Sequence, residues 1–377
     1  MLVELIDTYI FFWHDSCKDL SIFKEVGVKA LLKKLLIAGL VLLVAGTLFA
    51  KGQTEAADPS KEFKPGEITG MEPAPQKKSP PIRIGLCPTA MNTHYDIVIA
   101  GAKTAVKELG GPKVIDLVIQ APSGQSATNE QMNILEGWVQ QKFDVITVCS
   151  ANDQALTPIY RTAAEKKIPI IHFNTPLAAS VNPYFVSNVG YDQSEAGYQI
   201  AKWLGVNYGS KAFNLVIIEG LPGVHNTERM TGVKKALAEY PNIKVIESQS
   251  GDWVRNKAQA VMEDILTKYG TQIDGVLGLY DEMSMGALAA IKSRNLGKEI
   301  IILGYDNTPD ANAAIKRGEM HATVDTAPKE MGYQMIMAAY DYVVKGQKIP
   351  KVINAELKVW DQKNIGQFDP SHYTFAE

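Results

Sequence analysis

Two stretches of the chain repeat one pattern: FDVITVCSANDQAL at residues 143–156 and IDGVLGLYDEMSM at residues 273–285. Each begins with an apolar run of strand length and continues into a polar stretch with helical spacing. A second matching pair follows at nearly the same offset, with IPIIHFNTP at 168–176 and IIILGYDNTP at 300–309. The sequence therefore predicts an internal duplication of one α/β unit rather than a short solenoid repeat.

Short apolar runs alternate with amphipathic stretches from residue 82 to residue 304. Runs of about five apolar residues between longer helical stretches are typical of βα units on a parallel sheet. Because the pattern occurs twice, we predict two doubly wound, Rossmann-like α/β lobes that face each other across a cleft. Ligands of such sheets bind outside the carboxyl ends of the strands, so the loops after the strands are the candidate site. At the start of one helix, Ser126 fits an N-cap.

The most apolar run, Leu35–Ala50, follows a lysine-rich stretch. It is shorter than the roughly 20 residues that a bilayer-crossing helix needs. A basic stretch, a short apolar run and a small final residue are typical of a secretory signal peptide, with an uncleaved membrane anchor as the alternative. We predict that residues 1–50 hold an upstream extension and a signal peptide, with translation starting near Val28. The expected location is the periplasm or another extracytoplasmic space.

Composition sets further limits. Residues 51–81 are rich in Pro, Lys, Glu and Gly without an apolar period, which predicts a flexible linker. The whole chain has 38 basic and 41 acidic side chains, a net charge of −3, so no nucleic-acid partner is expected. Cys87 and Cys149 each end a predicted strand, and both a disulfide and two buried thiols are compatible with export.

The loops that follow the predicted strands carry amide, aromatic and charged side chains. They are Asn92, His94, Tyr95, Asn174, Thr175, Arg229, Trp253, Tyr280 and Asp306. Asp, Asn and Arg bind hydroxyls well, and flat rings cover the apolar faces of a sugar. The pattern therefore indicates a small, neutral, polyhydroxylated ligand.

Each of these residues has a structural alternative. Asn92 and Asn174 are also suited to helix caps or turns, and Asp306 to capping the next helix. Arg229 is compatible with a surface charge, and Trp253 with packing between lobes. Phosphate-cradle, dinucleotide, zinc-protease and nucleophile-elbow motifs are missing, so we predict a protein that is not an enzyme and has no cofactor or metal.

Residues 82 to about 360 resemble the ribose-type periplasmic sugar-binding proteins of ABC importers, whose fold is shared with the effector domains of the lactose-repressor family. The resemblance is carried by DEMSMGALAAIKSRN from Asp281 and ILGYDNTPDANAAIKRGEMHATV from Ile302, with ERMTGVKKAL from Glu228 and IPIIHFN from Ile168. It implies the type I periplasmic binding protein fold, with lobes joined by a three-strand hinge. Lobe 1 is then expected at 82–191 plus 327–352, and lobe 2 at 192–326 plus 353–377.

The resemblance also implies roles for single residues. Asn92, His94 and Tyr95 occupy the positions of an amide and two aromatic rings around the sugar, although His94 departs in type. Arg229, Trp253 and Asp306 match the sugar-binding arginine, a stacking ring and the aspartate that binds hydroxyls. The chain departs from the ribose pattern at four contacts, where Asn174-Thr175 replaces Asp-Arg, Tyr280 replaces Asn and Thr326 replaces Gln. A ligand other than ribose is therefore expected.

What the resemblance implies for function is a monomeric, exported solute-binding protein. It is expected to capture a monosaccharide or polyol by hinge closure and to deliver it to an ABC permease. The alternative is a sensor of the same fold that presents its closed form to a membrane receptor, such as a chemoreceptor or a histidine kinase. A transcription repressor is disfavoured, because the predicted signal peptide occupies the place of a DNA-binding domain.

Overall fold

The computed structural model describes residues 78–150, 152–176 and 181–375. The predicted signal peptide and most of the predicted linker lie outside the described residues. Within the described ranges, no helix has both the length and the apolar character needed to span a membrane.

Twelve strands are described, and they form two sheets of six strands each. In chain order they are β1 (Ile82–Cys87), β2 (Ile115–Ile119), β3 (Val145–Val148), β4 (Ile170–Phe173), β5 (Phe185–Gly190), β6 (Phe213–Glu219), β7 (Ile243–Ser250), β8 (Gly275–Gly278), β9 (Ile301–Tyr305), β10 (Ala322–Asp325), β11 (Val352–Asn354) and β12 (Lys358–Asp361). The first sheet has the order β11-β5-β4-β3-β1-β2 and the second β12-β10-β9-β8-β6-β7. All pairs are parallel except β10 with β12, so the predicted pair of parallel α/β sheets is confirmed.

The α-helices of the described residues lie between the strands. They are α1 (Thr93–Glu108), α2 (Thr128–Gln140), α3 (Asp153–Glu165), α4 (Gln193–Tyr208), α5 (Val224–Leu237), α6 (Arg255–Tyr269), α7 (Asp281–Arg294), α8 (Pro309–Lys316) and α9 (Pro328–Val343). The central strands β3, β4, β8 and β9 are buried along their whole length, as expected for parallel strands covered by helices on both faces.

The chain passes between the two sheets three times: after β5, after β10, and between β11 and β12. We call the part built on the first sheet the first half and the part built on the second sheet the second half. Helix α9 belongs to the first half, because it packs along α1. Ile353 and Asn354 still pair with Val189 and Gly190 of the first sheet, so the third passage begins two residues after the position implied by the resemblance.

The local sequence indicates the N-cap of one helix correctly and that of another helix wrongly. The Asn92 side chain caps α1 and accepts from the Tyr95 amide at 3.1 Å. Helix α2 begins at Thr128 after Ala127 and has no side-chain cap, so the predicted Ser126 cap is wrong. The reason is that the loop before α2 is held differently: the Glu130 carboxylate accepts from the amide and hydroxyl of Ser123, at 2.7 and 2.8 Å.

Candidate functional site

A cavity with an empty volume of about 350 Å³ lies at the carboxyl ends of the strands, between the two halves. Its lining residues are Asn92, His94, Tyr95, Gln125, Asn174, His225, Arg229, Trp253, Tyr280 and Asp306. Eight of the ten predicted site residues are therefore brought together; Thr175 and Thr326 lie behind the lining, in contact with it.

Arg229 is a buried, fixed cation on α5. Its Nε donates to Gln193 Oε1 at 3.0 Å, its Nη2 to the Tyr191 hydroxyl at 2.8 Å, and its Nη1 to the Leu279 carbonyl. The guanidinium carbon lies 4.0 Å from the ring centroid of Tyr305 and 5.1 Å from that of Trp253. These contacts exclude the alternative of a surface charge. They fix the guanidinium beside the cavity, where its planar fork suits hydroxyl oxygens.

The electrostatic surroundings of Arg229 keep it charged. Burial alone lowers the pKa of Arg229, but Tyr191, Tyr305 and Asp306 more than offset this effect and raise the pKa above its ordinary value. Trp253 rests on Gly220, where a Cβ would come within 1.9 Å of its ring, and has a positive φ of 65°. The ring therefore covers Arg229 within the second half as well as lining the cavity.

Asp306 is the counter-charge of the cavity. Its Oδ1 accepts from the Thr326 hydroxyl at 2.8 Å, and its Oδ2 lies 3.4 Å from His94 Nδ1. Burial alone raises the pKa of Asp306, but His94 and Arg229 overcome this effect and lower it to about 2. Asp306 is thus ionised at neutral pH. It does not cap α8, because the N-cap residue is Thr308 and no side chain accepts there.

The loop that carries Asp306 is held by a buried carboxylate that the sequence did not point to. Asp281 accepts from the Tyr305 amide at 2.7 Å, the Thr308 amide at 2.6 Å and the Thr323 hydroxyl at 2.8 Å. A Cβ on Gly304 would come within 2.0 Å of this carboxylate. Asp306 has a φ of 100°, a conformation that a non-glycine residue adopts only when its surroundings enforce it. Asp281 supplies that constraint.

The first half contributes a wall of amides and rings. The Tyr95 hydroxyl is used inside the protein: it contacts Thr89 Oγ1 at 3.0 Å, Cys149 Sγ at 3.1 Å and Asn174 Nδ2 at 3.2 Å. Tyr95 therefore offers the cavity its ring rather than its hydroxyl. Asn174 has a φ of 64°, so it forms the turn after β4 and also lines the cavity.

Cys87 and Cys149 are free and buried in this structure. Burial raises the pKa of Cys87 to about 12 and that of Cys149 to about 11. Neither thiol is a nucleophile at neutral pH, because the thiolate is the reactive form. Of the two predicted alternatives, the structure shows buried thiols.

A histidine that sequence analysis missed joins the two halves. His225 Nε2 lies 2.8 Å from Thr175 Oγ1, and Gln193 Nε2 lies 3.0 Å from His225 Nδ1. Burial and the Arg229 charge lower the pKa of His225 to about 3, so the ring is neutral. Because Gln193 donates to Nδ1, the ring proton sits on Nε2 and is donated to Thr175. The Thr175 hydroxyl is therefore committed to His225 rather than offered to a ligand.

Four polar atoms of cavity-lining side chains are buried without a hydrogen-bond partner among the described residues: His94 Nδ1 and Nε2, Asn174 Oδ1 and the Tyr280 hydroxyl, although Nδ1 faces Asp306 Oδ2 at 3.4 Å. An unpaired buried polar group costs about 1–3 kcal/mol. A ligand with several hydroxyls, each of which both donates and accepts hydrogen bonds, would suit such atoms. In the described ranges no group of His, Cys, Asp and Glu residues is arranged to hold a metal ion.

Residues 84–348 match a family model described as a periplasmic binding protein domain. The chain is 31% identical over 261 residues to a xylitol-binding protein of Mycolicibacterium smegmatis. This match covers 68% of this chain and 72% of the relative. It is 28% identical over 281 residues to a ribose import binding protein of Bacillus subtilis, with 74% and 87% covered.

A solved structure has the same fold. An ABC transporter periplasmic solute-binding protein from Actinobacillus succinogenes, crystallised with bound D-allose, superposes with a TM-score of 0.71 at 31% identity. The match covers 76% of this chain and 100% of that one. The two-lobed fold implied by the resemblance is therefore confirmed.

Proposed function

The chain belongs to the periplasmic binding protein family, and we propose that it captures one monosaccharide or polyol between its two halves and delivers it to the permease of an ABC importer. The observation that carries the proposal is that the opposite charges of Arg229 and Asp306 line one cavity that is formed by both halves. The relatives named for xylitol and ribose import and the D-allose complex support this class of ligand.

The charges of the cavity favour an uncharged ligand. Arg229 and Asp306 carry opposite charges and interact, since each shifts the pKa of the other toward its charged form. Neither charge is left in need of an ionic partner, whereas both retain the capacity to bind hydroxyls. The rings of Tyr95, Trp253 and Tyr280 supply apolar surface for C–H groups.

The contact set differs from that of a ribose site. Thr175 and Thr326 stand where the ribose pattern has Arg and Gln, and both hydroxyls bind protein partners, His225 and Asp306. We therefore propose that these two positions shape the cavity from behind and that the ligand differs from ribose in its hydroxyl pattern. A sugar whose hydroxyls do not match the polar groups of the site leaves a buried group unpaired, and the site therefore binds it much more weakly.

We propose hinge closure as the mechanism. Polar contacts join the halves across the cleft, among them His94 with Asp306 at 3.4 Å, Thr175 with His225 at 2.8 Å, and Thr93 Oγ1 with Glu282 Oε1 at 3.3 Å. A ligand that touches both halves stabilises this arrangement relative to an open one, and so shifts the population toward it. The permease would then recognise the closed form.

The remaining expectations belong to the same proposal. We propose a monomer with lobe 1 at 82–191 plus 327–352 and lobe 2 at 192–326 plus 353–377, and the sheet membership of the strands supports this division apart from Ile353 and Asn354. The signal peptide is proposed to end near Ala50. N-terminal sequencing of the exported protein tests this site, and a first residue at Met1 would contradict it.

A thermal-shift screen tests the proposed ligand class. The purified mature protein is heated with pentoses, hexoses and polyols, including D-allose, D-ribose and xylitol. A ligand at 100 times its Kd stabilises the folded state by about 2.7 kcal/mol, which raises the melting temperature by several degrees. No shift with any member of the panel would contradict the proposal.

A further inference from the structure

The chain does not end at its last strand. After β12 it forms two short 3₁₀ turns, Ile365–Gln367 and Pro370–Tyr373. Phe368 is buried in the second half, where its ring meets Trp360 edge-on at 5.4 Å between centroids. The segment is therefore an ordered part of the fold, and we call residues 368–375 the C-terminal strap.

One side of the strap contacts the loop that carries Asp306. The Tyr373 hydroxyl donates to the Asn307 carbonyl at 2.9 Å and lies 3.4 Å from Asn307 Oδ1. Asn307 has a φ of 56°, next to the φ of 100° at Asp306. Two successive residues in the left-handed region need external contacts to hold them. Tyr373 supplies one such contact directly behind the cavity.

The other side of the strap contacts the first half. Lys329, in the first turn of α9, donates from Nζ to the Ser371 carbonyl at 2.6 Å. The ring of Phe375 lies 5.7 Å from the Lys107 ammonium on α1. A run of five residues thus binds α1 and α9 of the first half and the Asp306 loop of the second half.

We infer that the C-terminal strap is a non-covalent brace that favours the closed arrangement of the two halves, with Tyr373 as a positioning residue for Asp306. This inference rests on the proposed function for its ligand, but the brace itself acts on the protein alone. An opening that moved the second half away from α1 and α9 would break the strap contacts with Lys329 and Lys107. Their loss adds to the cost of opening.

Removing the strap tests the brace. A mature chain that stops after Asp369 lacks the contacts of Ser371, Tyr373 and Phe375. One nitroxide label is placed on each half, at the exposed positions Glu165 and Lys234, each replaced by Cys. Labelling is selective because Cys87 and Cys149 are buried. The distance between the labels is measured by pulsed electron resonance on the ligand-free protein. The fraction of molecules with a changed label distance is expected to be larger in the truncated chain than in the full-length chain.

A point variant with a matched control separates the brace from general stability. Tyr373→Phe removes only the hydroxyl that donates to Asn307 and keeps the strap contacts with α1 and α9, so it tests the positioning of Asp306. Tyr269→Phe removes a similar hydroxyl, which donates to the Ile246 carbonyl at 3.0 Å wholly within the second half. With D-allose and xylitol as probes, Tyr373→Phe is expected to raise the dissociation rate of the bound sugar about tenfold, the effect of losing one well-placed hydrogen bond. Tyr269→Phe is expected to leave it unchanged.

The positioning role has its own readout. In a double-variant cycle, Tyr373→Phe is expected to have no effect on sugar affinity once Asp306→Asn is present, because the hydroxyl acts through Asp306. Equal effects in both backgrounds would contradict positioning. Unchanged label separations in the truncated chain would overturn the brace. If no probe sugar binds the unaltered protein, the proposed function fails, while the label separations still decide the brace.

Discussion

At the scale of single residues, the account depends on the buried pair of Arg229 and Asp306. Both side chains are nearly inaccessible to solvent, and each is held by protein partners before any ligand arrives. Such preorganisation avoids ordering costs when the ligand binds. The arrangement makes hydroxyl recognition sensitive to small changes at either residue.

Replacing Asp306 with Asn is expected to weaken sugar binding by about 10²-fold. The change keeps the shape but removes the charge that accepts strong hydrogen bonds and balances Arg229. Isothermal titration with the tightest sugar of the panel measures the effect. The control is Asp310→Asn, four residues away on the surface, where Asp310 pairs with Arg255 and is more than half exposed. An equal loss in both variants would contradict a direct role for Asp306.

Sugar affinity is expected to fall with acidification below about pH 6.5. The closed structure lowers the pKa of His225 from 6.5 to about 3, through burial first and then the positive charge of Arg229, with His172 and His94 adding to this effect and Asp306 opposing it. A depressed pKa means that the closed form binds fewer protons, so its advantage is complete above pH 6.5 and is lost as the pH falls. We expect about tenfold weaker binding per pH unit between pH 6 and pH 4 if the ring is solvated when open.

A variant isolates His225 from other groups in this pH range. Asp306, with a pKa of about 2, stays ionised from pH 4 to pH 7 and does not produce the slope. His225→Gln keeps a donor toward Thr175 and cannot titrate, so its affinity is expected to depend much less on pH. Calorimetric titrations at four pH values compare the two proteins. Parallel pH profiles would show that His225 is not the group that titrates.

At the scale of elements, helix packing places the cavity wall. Helices α1 and α9 approach so closely that a Cβ on Gly332 would lie 1.8 Å from the Val98 carbonyl oxygen. Gly332→Ala is therefore expected to destabilise the protein by about 1–3 kcal/mol, because one helix must shift. Gly137→Ala in α2 is the control: its Cβ would meet only the Gln141 side chain at 3.9 Å, so alanine is expected to stabilise by about 0.5–1 kcal/mol. Urea unfolding measures both; the same sign for the two changes would refute this account of the packing.

The sequence predicted most strongly those elements that carry an unbroken apolar run. β6 is one of them, since its buried apolar run at residues 215–218 ends sharply at Glu219. The start of α2 was misjudged because Ser126 has the local signature of a cap, whereas the fold holds that loop through Glu130.

The sequence also predicted the site only in part, because some of its contacts form between distant residues. Loops after strands pointed to eight of the lining residues, because parallel strands bring their carboxyl ends to one edge. His225 escaped notice because its partners, Thr175 and Gln193, are distant in the sequence and lie beside it only after folding. Asp281 escaped for a similar reason, since its role depends on two amides and a hydroxyl from three later positions.

At the scale of the whole molecule, the proposed ligand joins the two halves by contacting both of them. The contacts across the cleft named above are polar, such as Thr93 with Glu282 at 3.3 Å, and we propose that the closed arrangement gains further stabilisation from the ligand. The sugar supplies most of it and the C-terminal strap a smaller part. Because most of the stabilisation of the closed arrangement comes from the ligand, the protein can close on a neutral ligand and open again when the ligand leaves.

The most direct test of the central claim is a crystal structure of the protein with the tightest sugar of the thermal-shift panel. We predict electron density for one sugar in the cavity, with hydroxyls bonded to Asp306 and Arg229 of the second half and to Asn174 of the first. Sugar density that contacts only one half, or that lies outside this cavity, would contradict the account.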